Sequence, residues 1–288
     1  MWRIFYSLKA ALRFRDYNPK PISFKSAHEW MGQFDKKDRR LAGNLLDNVV
    51  YFSEDKTKRT LIRLNGQLMH RLAEDGIPAK KIVYVSFDET ASSSHMMLGM
   101  LRDNDALQQR GCNLCDSRDI RGLKDTTDRL ETGAMVYVDD FIGSGRQFCT
   151  ARDFAMQFVG RDFSEFMLAP SVCEEGRDAL KERGIEVVAD NIHYKTDRAL
   201  LEVSTFLTPA ARQRIIEICR NIDPKMALGI ENMAAMVVFY RNSPNQVPAI
   251  LRGNKNLKPF CGLFPRTKDL PFENIRTQSL RKRKVSRY

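Results

Sequence analysis

Met135-Val-Tyr-Val-Asp-Asp-Phe-Ile-Gly-Ser-Gly-Arg-Gln147 decides how the rest of this chain is read. A β-branched run ends in two adjacent carboxylates, then a glycine-rich turn, then an apolar-periodic segment from Phe148 to Val159. The order is strand, acidic pair, phosphate-sized loop, helix. Glycines at 143 and 145 let the backbone come close to an anion, and the unpaired N–H groups at a helix start carry partial positive charge. Asp139 and Asp140 are placed to accept from sugar hydroxyls or to hold Mg2+. The plainer alternative is an Asp-Asp pair that merely ends a parallel strand beside a tight turn.

Around this centre the chain changes texture. Residues 1–80 read as a helical lobe without strand pattern. Ser26 and Glu29 form a capping box ahead of Trp30 and Phe34; Leu41, Leu45, Leu46, Val49 and Val50 recur at helical spacing. A third helix runs from about Thr57 with Leu61, Leu64, Leu68 and Leu72 on one stripe, closed by Gly76 and Pro78. From Lys81 short apolar runs alternate with helical stretches, as in a parallel sheet with crossovers. The runs are Ile82 to Phe87, Met135 to Val138, Phe166 to Ala169, Ile185 to Ala189 and Met236 to Tyr240. A helical insertion near 195–225 opens with Thr208 as cap and Pro209 at the first helical position. The expectation is an α/β domain over 81–270 with a five-stranded parallel sheet flanked by helices, followed by a tail over 271–288.

The net charge of +11 is concentrated at that tail. Arg276, Arg281, Lys282, Arg283, Lys284 and Arg287 stand there without an acid among them, suited either to solvent or to nucleic acid or an acidic partner. No apolar run approaches the ~20 residues that cross a bilayer. Met1 to Lys20 mixes apolar and basic residues without the uninterrupted centre of a secretory signal. It reads as an amphipathic helix docked on its own protein, with a membrane or partner contact as the alternative. Six cysteines without an export signal read as free thiols in a cytoplasmic protein. Cys112 and Cys115 make a lone C-x2-C that lacks the second ligand pair of a structural zinc site.

The stretch from Met135 to Gln147 resembles the 5-phosphoribosyl-1-diphosphate (PRPP) signature of type I phosphoribosyltransferases. With the serine turn Asp88-Glu-Thr-Ala-Ser92-Ser-Ser94-His95 and the Asn242-Ser243-Pro244-Asn245 segment, the chain resembles the phosphoribosyltransferase-like proteins of bacterial conflict and antiphage systems, retron-associated ones among them. The resemblance implies ribose contacts from Asp139 and Asp140 as catalytic residues, with Mg2+ held indirectly. It implies a 5′-phosphate cradle from Gly143, Ser144, Gly145, Arg146 and Gln147, and a diphosphate loop at Ser92, Ser93 and Ser94. A helix cap is the alternative role for those serines. The chain departs from the family pattern at Gly143, where some members keep a side chain, and in lacking a readable base pocket or basic lid. Arg102, Arg110, Arg118, Arg121 and Lys124 are the candidates for that lid.

Two readings follow. The first is a defence effector that binds PRPP or a related ribose phosphate, with ribosyl transfer or modification of a nucleotide or nucleic acid. The second is a non-catalytic subunit that senses a nucleotide and assembles with an ATPase, a reverse transcriptase or RNA, as an oligomer or complex member and without membrane contact.

Overall fold

In Ile82-Val-Tyr-Val-Ser86 every residue is buried, which requires both faces of the strand to be covered. The computed structural model describes residues 1–87, 93–105, 107–159, 163–254 and 260–266. The helices in chain order are α1 (Trp2–Arg13), α2 (Phe24–Gly32), α3 (Arg39–Leu45), α4 (Glu54–Glu74), α5 (Ser93–Asp105), α6 (Ile120–Leu130), α7 (Arg146–Met156), α8 (Glu174–Lys181), α9 (Pro209–Ile222) and α10 (Ala249–Arg252). The strands are β1 (Val50–Phe52), β2 (Ile82–Ser86), β3 (Asn113–Asp116), β4 (Gly133–Val138), β5 (Phe141–Ile142), β6 (Phe163–Cys173), β7 (Ile185–His193), β8 (Val237–Phe239), β9 (Gly253–Asn254) and β10 (Phe260–Cys261). Two compact units divide the chain: Asp55–Tyr194, and Met1–Glu54 together with Lys195 onward.

The unit Asp55–Tyr194 is built on a six-stranded sheet in which β3, β2, β4 and β6 are successive neighbours, β5 extends the β4 side of β6, and β7 lies on its other side. Every pairing in it is parallel. Alternate residues point to opposite faces. Ile82, Tyr84, Val136, Val138 and Leu168 pack with Leu61, Leu64, Leu68, Met97 and Leu101, so α4 and α5 cover one face. Val83, Val85, Met135, Tyr137 and Met167 pack with Leu123, Phe148, Cys149 and Leu180, so α6, α7 and α8 cover the other. Each buried Val, Leu or Ile contributes roughly 1.5–3 kcal/mol, and the two layers together hold the sheet rigid. The leucine stripe expected on α4 is the buried one, and the helix stops where Gly76 takes a φ of 77° and the Ile77 N–H donates back to the Leu72 carbonyl.

The unit containing Met1–Glu54 gathers α1 to α3 with α9 and α10 around Trp30, Met31, Leu45, Ile215, Cys219 and Phe264. The Trp30 indole donates to the Ile250 carbonyl at 3.1 Å, and the Tyr17 hydroxyl to the Pro265 carbonyl at 2.7 Å. Thr208 caps α9 by accepting the Ala211 N–H, with Pro209 at the first position, as its sequence implies.

Four expectations need correction. The run Met236 to Tyr240 is not a strand of the central sheet: β8 pairs in parallel with β1, and Phe52 stacks on Phe239 at 4.9 Å. The first eighty residues do contain a strand, β1, because Val50-Tyr-Phe52 is a β-branched and aromatic run that tertiary pairing draws out of the helical pattern. The sheet has six strands rather than five, gaining β3 and β5. The cap of α2 is Ser23, whose hydroxyl accepts the Ser26 N–H while Ser26 reaches back to the Ser23 N–H, so Ser26 is inside the helix.

Candidate functional site

β4 leaves the sheet at its acidic pair for a covalent reason. The Asp139 N–H still donates to the Leu168 carbonyl at 3.1 Å. The next rung of a parallel ladder would take an N–H from residue 170, which is a proline and has none. Pairing with β6 resumes only at Phe141 opposite Ser171, as β5. The β6–β7 register also has a gap at this position, between Ala169↔Ala189 and Ser171↔Asn191. Asp139 and Asp140 therefore form a corner at the carboxyl edge of the sheet, the side where open parallel sheets bind ligands.

The corner is tight. Asp139 is half-buried and its Oδ1 accepts the backbone N–H of Asp140 at 2.8 Å, which holds the Asp139 carboxylate; Asp140 is buried. After β5 the chain turns through Gly143, Ser144 and Gly145. Gly145 takes a φ of 76° and is the residue from which α7 starts, a left-handed conformation suited to glycine. Ser144 is half-buried and its hydroxyl accepts the Arg146 N–H at 3.4 Å. Arg146 and Gln147 are exposed on the first turn of α7. The helix N-terminus, with its partial positive charge, begins where the loop ends.

α8 supports the loop from behind. A Cβ on Gly176 would stand 2.3 Å from the Gly143 carbonyl oxygen and 2.8 Å from Ile142 Cγ2. A Cβ on Gly145 would meet Leu180 at 2.9 Å. The two glycines let the helix and the turn touch backbone to backbone. Pro170 and Gly176 are the residues that shape this corner and that motif reading passes over; their signals are a proline directly after an apolar run and a glycine in a short helix.

The serine turn is divided. Ser92 lies outside the described residues. Ser93 is half-buried at the start of α5, and Ser94 is buried, its hydroxyl accepting the Phe87 N–H at 2.8 Å. That bond ties the residue after β2 to the first turn of α5 and leaves the Ser94 O–H proton to donate.

β3 brings further residues to the same edge. Asp116 ends β3 opposite Ser86, and its carboxylate accepts from Arg118 at the backbone N–H, Nε and Nη2 at 2.8–3.1 Å. The Arg118 guanidinium holds the Asp116 carboxyl below the usual carboxylate range, with a smaller electrostatic contribution from His95. Of the five lid candidates Arg118 stands at this edge, between β3 and α6. Arg102 pairs with Asp103, Arg110 with Asp105, and Lys124 with Asp128. Arg121 is an exposed residue on α6. Only Ser117, Arg118 and Asp119 separate β3 from α6.

The end of β4 thus carries two adjacent carboxylates beside a glycine turn and a helix start. The family model PRTase-CE matches residues 27–266. The chain belongs to the PRTase-CE family. This family is of the phosphoribosyltransferase type, and the match spans both compact units of the chain. Among solved structures, orotate phosphoribosyltransferase from Aeropyrum pernix is similar at 15% identity over 46% of this chain and 68% of that one, with a TM-score of 0.31. A likeness that remote transfers neither substrate nor mechanism. A search of the curated proteins finds no match.

Proposed function

We propose that this PRTase-CE protein binds PRPP or a related ribose phosphate at the corner formed by Asp139, Asp140 and the Gly143–Gln147 turn. The observation that carries the reading is the corner at Pro170, which sets two adjacent carboxylates, that of Asp139 held by the Asp140 N–H, beside a left-handed glycine and the N-terminus of α7. In this reading Asp139 and Asp140 accept from the ribose 2′ and 3′ hydroxyls, and the Ser144 hydroxyl with the first N–H groups of α7 takes the 5′-phosphate. Arg146 adds positive charge at the loop. Ser93 and Ser94 serve the diphosphate, joined by Arg118 from the end of β3.

Mg2+ fits this donor set as a shared ion. Asp139 and Asp140 are the residues that would hold it, indirectly, beside the ligand's diphosphate. Among the described residues no cluster of three or more His, Cys, Asp or Glu stands ready to hold a metal alone. When bound, Mg2+ would neutralise charge on the leaving diphosphate.

If the site turns over, the anomeric C–O bond to diphosphate breaks and an acceptor on a nucleotide or nucleic acid attacks the same carbon, as expected of an effector in a bacterial defence system. A second reading, that of a sensing or assembly subunit bound to an ATPase, a reverse transcriptase or RNA, is favoured by one observation. The β3–α6 connection is three residues long, too short to fold over a bound sugar. Both readings need the ligand, so the first test is binding. PRPP at about a hundred times its Kd stabilises the folded chain by roughly 2.7 kcal/mol, several degrees in melting temperature. Asp139→Asn with Asp140→Asn removes that shift. Unchanged melting of the wild-type protein with PRPP and Mg2+ would sink the proposal; binding without diphosphate release leaves the sensing role.

A further inference from the structure

α1 has two apolar faces, and the fold uses one. Tyr6, Ala10 and the following Phe14 are buried in the core of their unit. Ile4, Phe5, Leu8 and Leu12 lie on the other side at 58, 52, 52 and 67% exposure, with Met1 and Trp2 also exposed. Residues 4, 8 and 12, with 1 and 5, follow i, i+4 spacing, so they form a continuous stripe along the helix. Each other described helix exposes at most one large hydrophobic residue.

The charge carried by α1 itself has one sign. Met1 to Arg15 contains Arg3, Lys9, Arg13 and Arg15 and no acid. Lys9 and Arg13 succeed each other one turn apart on one flank. Arg13 is tied to the carbonyls of Leu46 and Val49, and Lys9 pairs with Asp47 at 2.5 Å, so both are held beside the helix. Arg40 stands 4.8 Å above the Trp2 ring at the same flank. A convex apolar stripe with tryptophan and cations at its border matches the layer where hydrocarbon meets anionic headgroups. The sequence holds a second signal of the same kind, six cations without an acid in residues 276–288.

We propose that α1 seats this protein on an anionic phospholipid surface, with Ile4, Phe5, Leu8 and Leu12 entering the headgroup boundary and the basic residues meeting lipid phosphates. No described helix is long and apolar enough to cross a membrane, so the contact is peripheral. It is independent of the ribose-phosphate site.

Flotation of the full-length protein with vesicles tests this. Wild-type protein floats with phosphatidylcholine vesicles that contain phosphatidylglycerol and not with phosphatidylcholine alone, and salt weakens the binding. Phe5→Gln, Leu8→Gln and Leu12→Gln combined lower binding by roughly tenfold or more while leaving the melting temperature in place, since these side chains already face solvent. Leu8→Gln and Leu12→Gln made singly give the same direction if the triple variant does not fold. Removing residues 276–288 weakens binding and leaves its dependence on α1. The proposal is overturned if the wild type does not float with anionic vesicles or if the glutamine variants float as well as wild type. It is equally overturned if these substitutions abolish self-association without any vesicle binding, which makes the stripe an interface between two copies.

Discussion

Replacing Gly176 with alanine puts a methyl carbon where the Gly143 carbonyl oxygen leaves no room. The new Cβ would be 2.3 Å from that oxygen, against an ordinary contact of about 3.4 Å, so turn or helix must retreat by roughly 1 Å. Neither neighbour is a flexible side-chain end: one is the backbone of the turn and the other the γ-methyl of buried Ile142. Overpacking of this kind costs about 1–3 kcal/mol. A displacement near 1 Å in a positioning element costs up to about a hundredfold in function. Gly66→Ala in α4 is the matched control, because a Cβ there meets nothing within 4 Å and alanine is favoured in a helix by about 0.5–1 kcal/mol. Calorimetric unfolding and PRPP titration of the two variants give the comparison: Gly176→Ala melts lower and binds tens of times more weakly, whereas Gly66→Ala melts slightly higher and binds normally. A Gly176→Ala protein with wild-type melting and affinity refutes the claim that α8 sets the position of the turn.

Arg152 donates to the nearly buried Glu165, which also accepts from the Tyr137 hydroxyl. Arg152→Ala leaves that carboxylate without its cation and lowers stability by about 3 kcal/mol in denaturant titration, more than Tyr137→Phe, which costs about 1 kcal/mol. Asp38 is held below the usual carboxylate range first by its hydrogen bond from Arg214. Its folded value is depressed, so its contribution is complete above the unfolded value near pH 4 and disappears as pH falls through the folded one; Asp38→Asn flattens the acid limb of a stability-pH curve in that window. Burial pushes the Cys219 thiol up to about 12, so it stays unmodified by a maleimide at neutral pH until the protein unfolds, while exposed Cys261 reacts in the native state. Mass spectrometry of native and denatured samples checks the order.

Elements buried on both sides were legible because their sequence has to be apolar at every position. β4 meets that condition throughout and β2 up to its last residue, Ser86, and both announce themselves. β3 does not: Asn113-Leu-Cys-Asp116 is an edge strand, half-buried throughout, with a single aliphatic residue. Missing it also hid Asp116 and singled out Arg118 only as one of five scattered cations. Val50 to Phe52 looked helical because Leu45, Leu46 and Val49 before it keep helical spacing, and its partner lies at 237–239, beyond the reach of any local pattern. The turn after β5 was readable as a turn from its glycines. The contact between Gly176 and Gly143 was not, since sequence spacing says nothing of which helix will lie behind a loop.

Pro170 shows what the acidic corner costs the fold. Almost any other residue at that position would offer β6 the N–H its ladder lacks, and a rung worth roughly 0.5–1.5 kcal/mol would draw Asp139 and Asp140 toward a continuous strand. The more stable protein would then be the one with the less angular site. Selection for thermal resistance alone should therefore erode this position first, and variants recovered from such a selection that have replaced Pro170 should melt higher and hold ribose phosphates less well.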